Sequence, residues 1–304
     1  MPALIVVVGS LNMDFVARVE RLPLPGETVL GGGFRTIPGG KGANQACAAG
    51  RLGGRVRMVG RVGDDVFGEQ LRDSLRTAGV DVQAVRSTDA TPSGVALIFV
   101  AAHGENQIVV AAGANGALTA VDVETLLGES GGGYLLLQLE TPIETVAAAA
   151  AIGRGLGMTV ILDPAPARAL PAALLSCVDI LTPNETEALV LLGRREVTVS
   201  LDQAPDVARA LRDLGVGTVI LKLGEHGAFL SSASAHQHFA APRVDAVDAT
   251  AAGDTFNGAL AVALAEGKSV GEAIGFANAA ASLSVTRFGA QASIPTRAEV
   301  EARC

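Results

Sequence analysis

The 304-residue chain has no tryptophan, one tyrosine (Tyr134) and nine phenylalanines. So few rings leave little for stacking on nucleobases. Basic residues are also short, 23 Lys plus Arg against 31 Asp plus Glu, for a net charge of −8. That balance excludes a broad nucleic-acid-binding face. Only three lysines occur, Lys41, Lys222 and Lys268. Three cysteines, Cys47, Cys177 and Cys304, lie far apart with no metal-ligand spacing. Their odd number argues against a disulfide framework and for buried free thiols in a reducing compartment. No apolar run reaches the ~18 residues of a membrane span without Gly, Pro or charge. The start, Met1 to Gly9, has neither the basic head nor the cleavage site of a signal peptide. A cytoplasmic protein without a membrane segment is expected.

What is present is aliphatic. Hydrophobic residues make up 49% and glycine contributes 37 positions, so the core must be built from Ala, Val, Leu and Ile. Short apolar runs recur: Ile5–Val8, Val56–Val59, Val95–Val100, Ile108–Ala111, Tyr134–Leu139, Thr159–Leu162, Ile180–Leu181 and Thr218–Leu223. Several are apolar at every position, which suits strands buried on both faces. Between them lie segments of helical period: Ala43–Leu52, Phe67–Ala78, Val121–Leu127, Ile143–Arg154, Glu185–Leu192, Pro205–Leu214, Thr255–Ala265 and Val270–Ser284. Gly53, Gly79, Gly155, Gly193, Gly215 and Gly267 stand where C-capping glycines belong. The alternation predicts an α/β fold: an open, mostly parallel sheet with helices on both faces.

Two stretches break the rhythm. Residues 14–35 alternate like a strand and then turn Pro- and Gly-rich. Residues 93–112 read as a β-hairpin around His103-Gly104-Glu105-Asn106. Both are expected to form a small second sheet, a lid or dimerisation flap, on one α/β unit spanning 1–304. Edge strands of the main sheet are the alternative.

Open α/β sheets bind ligands beyond the carboxyl ends of their strands. There the sequence places Gly9-Ser10-Leu11-Asn12-Met13-Asp14, Glu140, Asp163, Thr182–Glu187 and Lys222–Gly227. Each alone reads as a helix cap or loop; their gathering at one edge predicts a site. Two glycine-rich helix entries stand out. Gly39-Gly40-Lys41-Gly42-Ala43-Asn44-Gln45-Ala46 lets a ligand approach the backbone closely. It is not a Walker A loop, because Arg35 and Gly42 stand where Gly and Ser or Thr are required. Asp248–Ala259 runs small residues into an apolar helix whose first N–H groups and dipole form an anion site. Asp254 there would repel a bound phosphate, unless it takes a proton from a hydroxyl that attacks a phosphoryl group. The plain alternative is an N-terminal helix residue favoured by the dipole.

These two stretches resemble the two signatures of the ribokinase-like (PfkB) carbohydrate kinases. Further similar stretches are Gly9–Asp14, Pro25–Thr28, Gly94–Val100, Gly113–Asn115, Gln138–Glu140, Asp163–Arg168, Thr182–Glu187 and Val285–Gln291, in family order along nearly the whole chain. The resemblance implies ATP-dependent phosphorylation of a sugar, D-ribose, at its 5-hydroxyl. It implies that Asn12, Met13, Asp14, Gly40, Lys41, Gly42, Ala43, Asn44 and Glu140 hold the sugar. Asp254 would be the base, and Ala251, Ala252 and Gly253 the anion hole. Asn184 and Glu187 are associated with Mg2+ and phosphates; Lys222, Leu223, Gly224, Glu225, His226, Gly227 and Asn278 would line the ATP site. A monovalent cation, K+, would bind the Asp248 carboxylate, the carbonyls of Thr250, Ser284, Arg287 and Gly289, and the Ser293 hydroxyl. A homodimer through the lid sheet is expected, with no nucleic-acid or membrane partner.

The chain departs from the pattern in places. Ala249 and Ala251 replace a Thr and a Gly, so a hydroxyl is lost near the cation loop while the backbone donors survive. Lys222 stands where such kinases often carry Thr, and reads either as a phosphate contact or as a solvated lysine. His226 reads as a surface loop residue or a neighbour of the nucleotide. His236 and His238 share one strand side but lack a third metal ligand; Arg194-Arg195 reads as a solvated turn. Rival readings are a kinase for deoxyribose, another sugar or a nucleoside, and a silent sugar-binding protein that would have no use for Asp254. A dinucleotide-dependent dehydrogenase lacks the Gly-x-Gly-x-x-Gly after the first strand.

Overall fold

A computed structural model describes residues 2–103, 105–128, 131–195 and 198–303. Cys304, Gly104 of the hairpin turn and Glu196 beside Arg195 lie outside the described residues. The chain opens with β1 (Leu4–Val8), β2 (Asn12–Val19) and β3 (Gly31–Gly39), followed by α1 (Lys41–Arg51), β4 (Arg55–Gly63) and α2 (Val66–Thr77). Next come β5 (Val85–Thr88), β6 (Gly94–Ala101), β7 (Asn106–Ala111), α3 (Ala120–Leu127), β8 (Tyr134–Leu137) and α4 (Ile143–Gly155). Then β9 (Thr159–Leu162), α5 (Ala172–Leu175), β10 (Ile180–Leu181), α6 (Glu185–Leu191), α7 (Ala204–Arg212) and β11 (Thr218–Lys222) follow. The last elements are β12 (Ala228–Ser231), β13 (His236–Phe239), α8 (Ala252–Ala265), α9 (Val270–Ser284) and α10 (Arg297–Glu301).

Nine strands form the main sheet in the order β13-β12-β11-β10-β9-β8-β1-β4-β5, parallel except for the β11-β12-β13 edge. β1 illustrates why. Ile5 and Val7 point into one core with Met58, α1, α8 and α9, while Val6 and Val8 point into the other with Leu135, Leu137, α4 and α7. A strand apolar on both faces demands helices on both sides. β1 is also the switch point: the order runs through β8 one way and β4 the other, which opens the ligand crevice at its carboxyl end.

The small sheet exists, with wider bounds than expected. It pairs β3-β2-β6-β7, with β2 and β6 parallel over Asn12–Val19 and Gly94–Ala101. β2 leaves the end of β1 after three residues, so this sheet rises directly over the strand ends. Strands β5, β12 and β13 and helices α5 and α10, each five residues or fewer, were not read from the sequence. Gly155 is not a C-cap: it sits inside α4, and Gly157 takes the left-handed turn with φ 72°.

Candidate active site

Asp254 is the centre. It lies in the first turn of α8, fully buried, and accepts hydrogen bonds from Asn44 Nδ2 (2.9 Å) and Gln45 Nε2 (3.1 Å). Both partners come from α1, which crosses α8 so closely that a Cβ on Gly258 would lie 2.6 Å from Ala48 Cβ. Burial pushes the Asp254 carboxyl up to about 6; Lys41 opposes the rise, Asp163 adds to it, and Asn44 and Gln45 temper it. A carboxylate that is largely ionised at pH 7 yet basic enough to hold a proton is suited to general-base work.

The expected anion hole, Ala251, Ala252 and Gly253, lies beside it at the start of α8. α8 begins at Ala251, a non-glycine residue in the left-handed region (φ 60°, ψ 15°). The turn there uses the Ala252 and Thr255 N–H groups internally, on the Ala249 and Ala251 carbonyls. Gly253 and Asp254 are left to present their N–H groups at the positive end of the helix. Lys222 faces the same point: its Nζ lies 3.3 Å from where a Cβ on Gly253 would stand. It is not a solvated lysine. Its side chain is only 12% exposed and donates to Asp163 Oδ1 at 2.9 Å.

Across from Asp254, Asp14 is buried at the start of β2, and a side chain on Gly39 would meet its carboxyl at 2.2 Å. Burial, then Glu140 and Asp254, raise the Asp14 carboxyl to about 7. Glu140 Oε2 accepts from Ser10 Oγ (2.6 Å), the Lys41 N–H (3.1 Å) and Asn12 Nδ2 (3.4 Å). The Lys41 side chain makes no ion pair among the described residues. Burial works against its charge, but Asp254, Asp163, Glu140 and Glu187 together outweigh this and raise it. One Asn44 atom, Oδ1, is buried without a hydrogen-bond partner.

Met13 and Ala43 turn the other way. Both side chains belong to the core, because only alternate residues of β2 and one face of α1 reach the site. Leu223 is likewise buried in the core, leaving only its backbone to the site. Gly224, Glu225 and His226 are exposed, and Asn278 spends its Nδ2 on the Phe239 carbonyl at 3.0 Å. Asn184 and Glu187 close a capping box on α6: the Asn184 N–H reaches Glu187 Oε2 at 2.7 Å and the Glu187 N–H reaches Asn184 Oδ1 at 2.8 Å. An isolated bridge ties Asn184 to Lys222, so the box stands at the same edge. His236 Nδ1 sits 3.1 Å from Ser231 Oγ and His238 Nε2 donates to the His226 carbonyl.

Of the residues expected to bind a monovalent cation, Asp248 ties Thr250 to Gly289 just before α8. Asp248 Oδ1 accepts from the Thr250 N–H (2.9 Å) and Oγ1 (2.6 Å), and Oδ2 from the Gly289 N–H (2.9 Å). The Asp248 N–H in turn reaches the Val285 carbonyl at 3.1 Å. Ser293 Oγ donates to the Ala290 carbonyl and the Ser284 carbonyl accepts from the Arg287 N–H. An all-oxygen donor set with one carboxylate fits a hard cation of low charge. Among the described residues no three acidic, His or Cys side chains converge on a metal.

Ser10 and Asp163 stand at the sheet edge where the sequence places them, whereas Gln45, Asn115 and Gln138 were given no site role from the sequence. Gln138 Nε2 donates to Gln45 Oε1 (2.7 Å), which fixes the amide so that its Nε2 faces both Asp254 and Asp163. Asn115 holds Leu11 and Asn12 in place. Gln138 follows β8 at a strand end, whereas Gln45 lies on α1, inside the glycine-rich entry that the sequence already marked.

The fold and this constellation define an α/β enzyme that transfers a phosphoryl group to a hydroxyl. The sequence model of the pfkB family carbohydrate kinases matches residues 2–297. The chain is 44% identical over 297 residues to a ribokinase of Haemophilus influenzae, covering 96% of this chain and 95% of that one. It is 37% identical to a deoxyribokinase of Salmonella typhi, covering 96% and 95%. A solved structure of an Arabidopsis thaliana ribokinase complexed with ribose and ATP superposes with a TM-score of 0.89 at 37% identity, covering 99% of this chain and 98% of that one. The chain belongs to the pfkB family of carbohydrate kinases.

Proposed function

We propose that this protein transfers the γ-phosphoryl group of ATP to the 5-hydroxyl of D-ribose. The observation that carries this reading is the buried Asp254, held by two amides at the start of α8 and facing Asp14 and Glu140. The Asp14 carboxylate accepts two sugar hydroxyls at once, with Asn12, Gly40, Lys41, Gly42 and Asn44 around the ring. Asn44 Oδ1 takes a further hydroxyl. Asp254 removes the proton from the attacking hydroxyl as the new O–P bond forms and the bond to ADP breaks. The Gly253 and Asp254 N–H groups, with the α8 dipole, receive the charge on the phosphoryl oxygens. Lys41 and Lys222 add fixed positive charge.

Mg2+ supplies charge neutralisation on the phosphates when bound. With no three-ligand cluster among the described residues, Glu187 and Asn184 would hold it. K+ would occupy the Asp248, Thr250, Ser284, Arg287, Gly289 and Ser293 oxygens and stiffen the turn that starts α8. The backbone of Lys222–Gly227 and Asn278 would cradle ATP. The small sheet acts as a lid over one α/β unit, excluding water and so suppressing ATP hydrolysis. Its apolar face pairs in a homodimer, and the protein works in the cytoplasm.

Coupled ADP release over ribose, deoxyribose, fructose and adenosine tests the reading. Ribose should turn over at least tenfold better than deoxyribose. A reversed order moves the assignment to deoxyribose, and no sugar-dependent ADP overturns it.

A further inference from the structure

Asp163 follows β9 and is only 3% exposed, yet it has no assigned role. Its two oxygens face opposite donors. Oδ1 accepts the Lys222 ammonium at 2.9 Å, and Oδ2 accepts Gln45 Nε2 at 3.0 Å. The same Gln45 Nε2 reaches Asp254 Oδ1 at 3.1 Å. One carboxylate therefore touches both the cation beside the anion hole and the amide that holds the base. Burying it is tolerable only because a charge and a hydrogen bond compensate it. An ion pair that served only stability would not need to sit 3.3 Å from the Cβ position of Gly253.

We propose that Asp163 is a positioning residue for phosphoryl transfer: it holds the Lys222 ammonium against the start of α8 and, through Gln45, sets the orientation of Asp254. This rests on the kinase reading above. Asparagine cannot replace it. An amide offers one acceptor and one donor, so one of the two opposed donors would face an N–H.

The test uses Asp163→Asn, Lys222→Met and the double variant in steady-state kinetics with ribose and ATP. Losing one well-placed donor to the developing charge costs about 100-fold in kcat, which is expected for Lys222→Met. Asp163→Asn should lower kcat at least tenfold while moving the KM for ribose less than threefold. The double variant should lose less than the product of the two single losses, because part of the Asp163 effect runs through that lysine. Removing the Asp163 charge should also shift the acid limb of kcat/KM to lower pH, which a purely structural role would not do. The proposal fails if Asp163→Asn keeps kcat within threefold, if the acid limb stays put, or if the two losses multiply in the double variant. Should Asp163→Asn not fold, Asp163→Glu decides: it keeps the charge but displaces it, and an unchanged kcat overturns the proposal. An inactive wild type would sink the kinase reading instead; an active wild type with an equally active variant sinks only this inference.

Discussion

A buried carboxylate with a raised proton affinity is useful only in a defined pH window, and two meet here. Asp254, at about 6, must be ionised to act, so activity should fall as pH drops through 6. A kcat/KM profile from pH 5 to 8 checks this; a flat profile removes Asp254 as the base. Asp254→Asn keeps the shape and loses the base, and should cost about 10^3-fold in kcat with sugar affinity changed only a few-fold by calorimetry. Asp14, at about 7, carries a proton in part of the free molecules. Hydroxyls donating to its carboxylate favour the anion, so sugar binding should release protons near pH 7, visible as a buffer-dependent binding enthalpy. Both carboxyls bind protons more tightly folded than unfolded. Their stabilising contribution is present below about 3.8 and is lost as pH rises through 6 to 7, so the free protein should melt at a lower temperature at pH 8 than at pH 6.

Helices α1 and α8 form the frame that brings Asn44 and Gln45 to Asp254, and their crossing depends on Gly258. A Cβ there would meet Ala48 Cβ at 2.6 Å and the Gln45 carbonyl at 2.7 Å, both unable to swing aside. Gly258→Ala should therefore destabilise by about 1–3 kcal/mol and lower kcat as well, because the shifted backbone carries Gln45. Thermal melts and turnover measured together check it; a loss of stability with full kcat would show that the site tolerates the shift. The α8 entry offers the opposite case. Ala251 holds φ 60°, a conformation that costs a side chain about 1–2 kcal/mol. Much of the element pattern was legible from the chain: the eight helical segments of regular period, the both-face apolar strands and the glycine entries all formed. The short edge strands were not, since β12 is pinned by pairing to β11 and β13 by pairing to β12 rather than by a pattern of their own.

At the scale of the molecule, the small sheet leaves Ile108 54% and Val110 46% exposed on one face of its edge strand β7, an apolar patch open to solvent. If two copies cover it, Ile108→Lys with Val110→Lys should give monomers by sedimentation at concentrations where the wild type is dimeric; a wild type that is monomeric throughout overturns the pairing. Replacing K+ by Li+ should lower turnover, through the loop that joins Asp248 to Gly289. No helix of the described residues is long and apolar enough to cross a membrane. Net charge −8 must be overcome locally to bind a polyanion. Two of the three lysines, with the α8 dipole, stand at the place where that is needed.

By itself the sequence determined the layered α/β architecture, because strands apolar on both faces and helices of regular period admit few other packings. It also marked the two glycine entries and Asp254, where residue type and position are tied to one chemistry. Tertiary structure alone decided what Asp254 touches. Asn44 and Gln45 are separated from it by 210 and 209 positions, and no local pattern encodes a contact across that distance. It decided likewise that Lys222 is paired with Asp163 and held beside Gly253 rather than solvated, since that rests on a strand order in which β9, β10 and β11 end side by side.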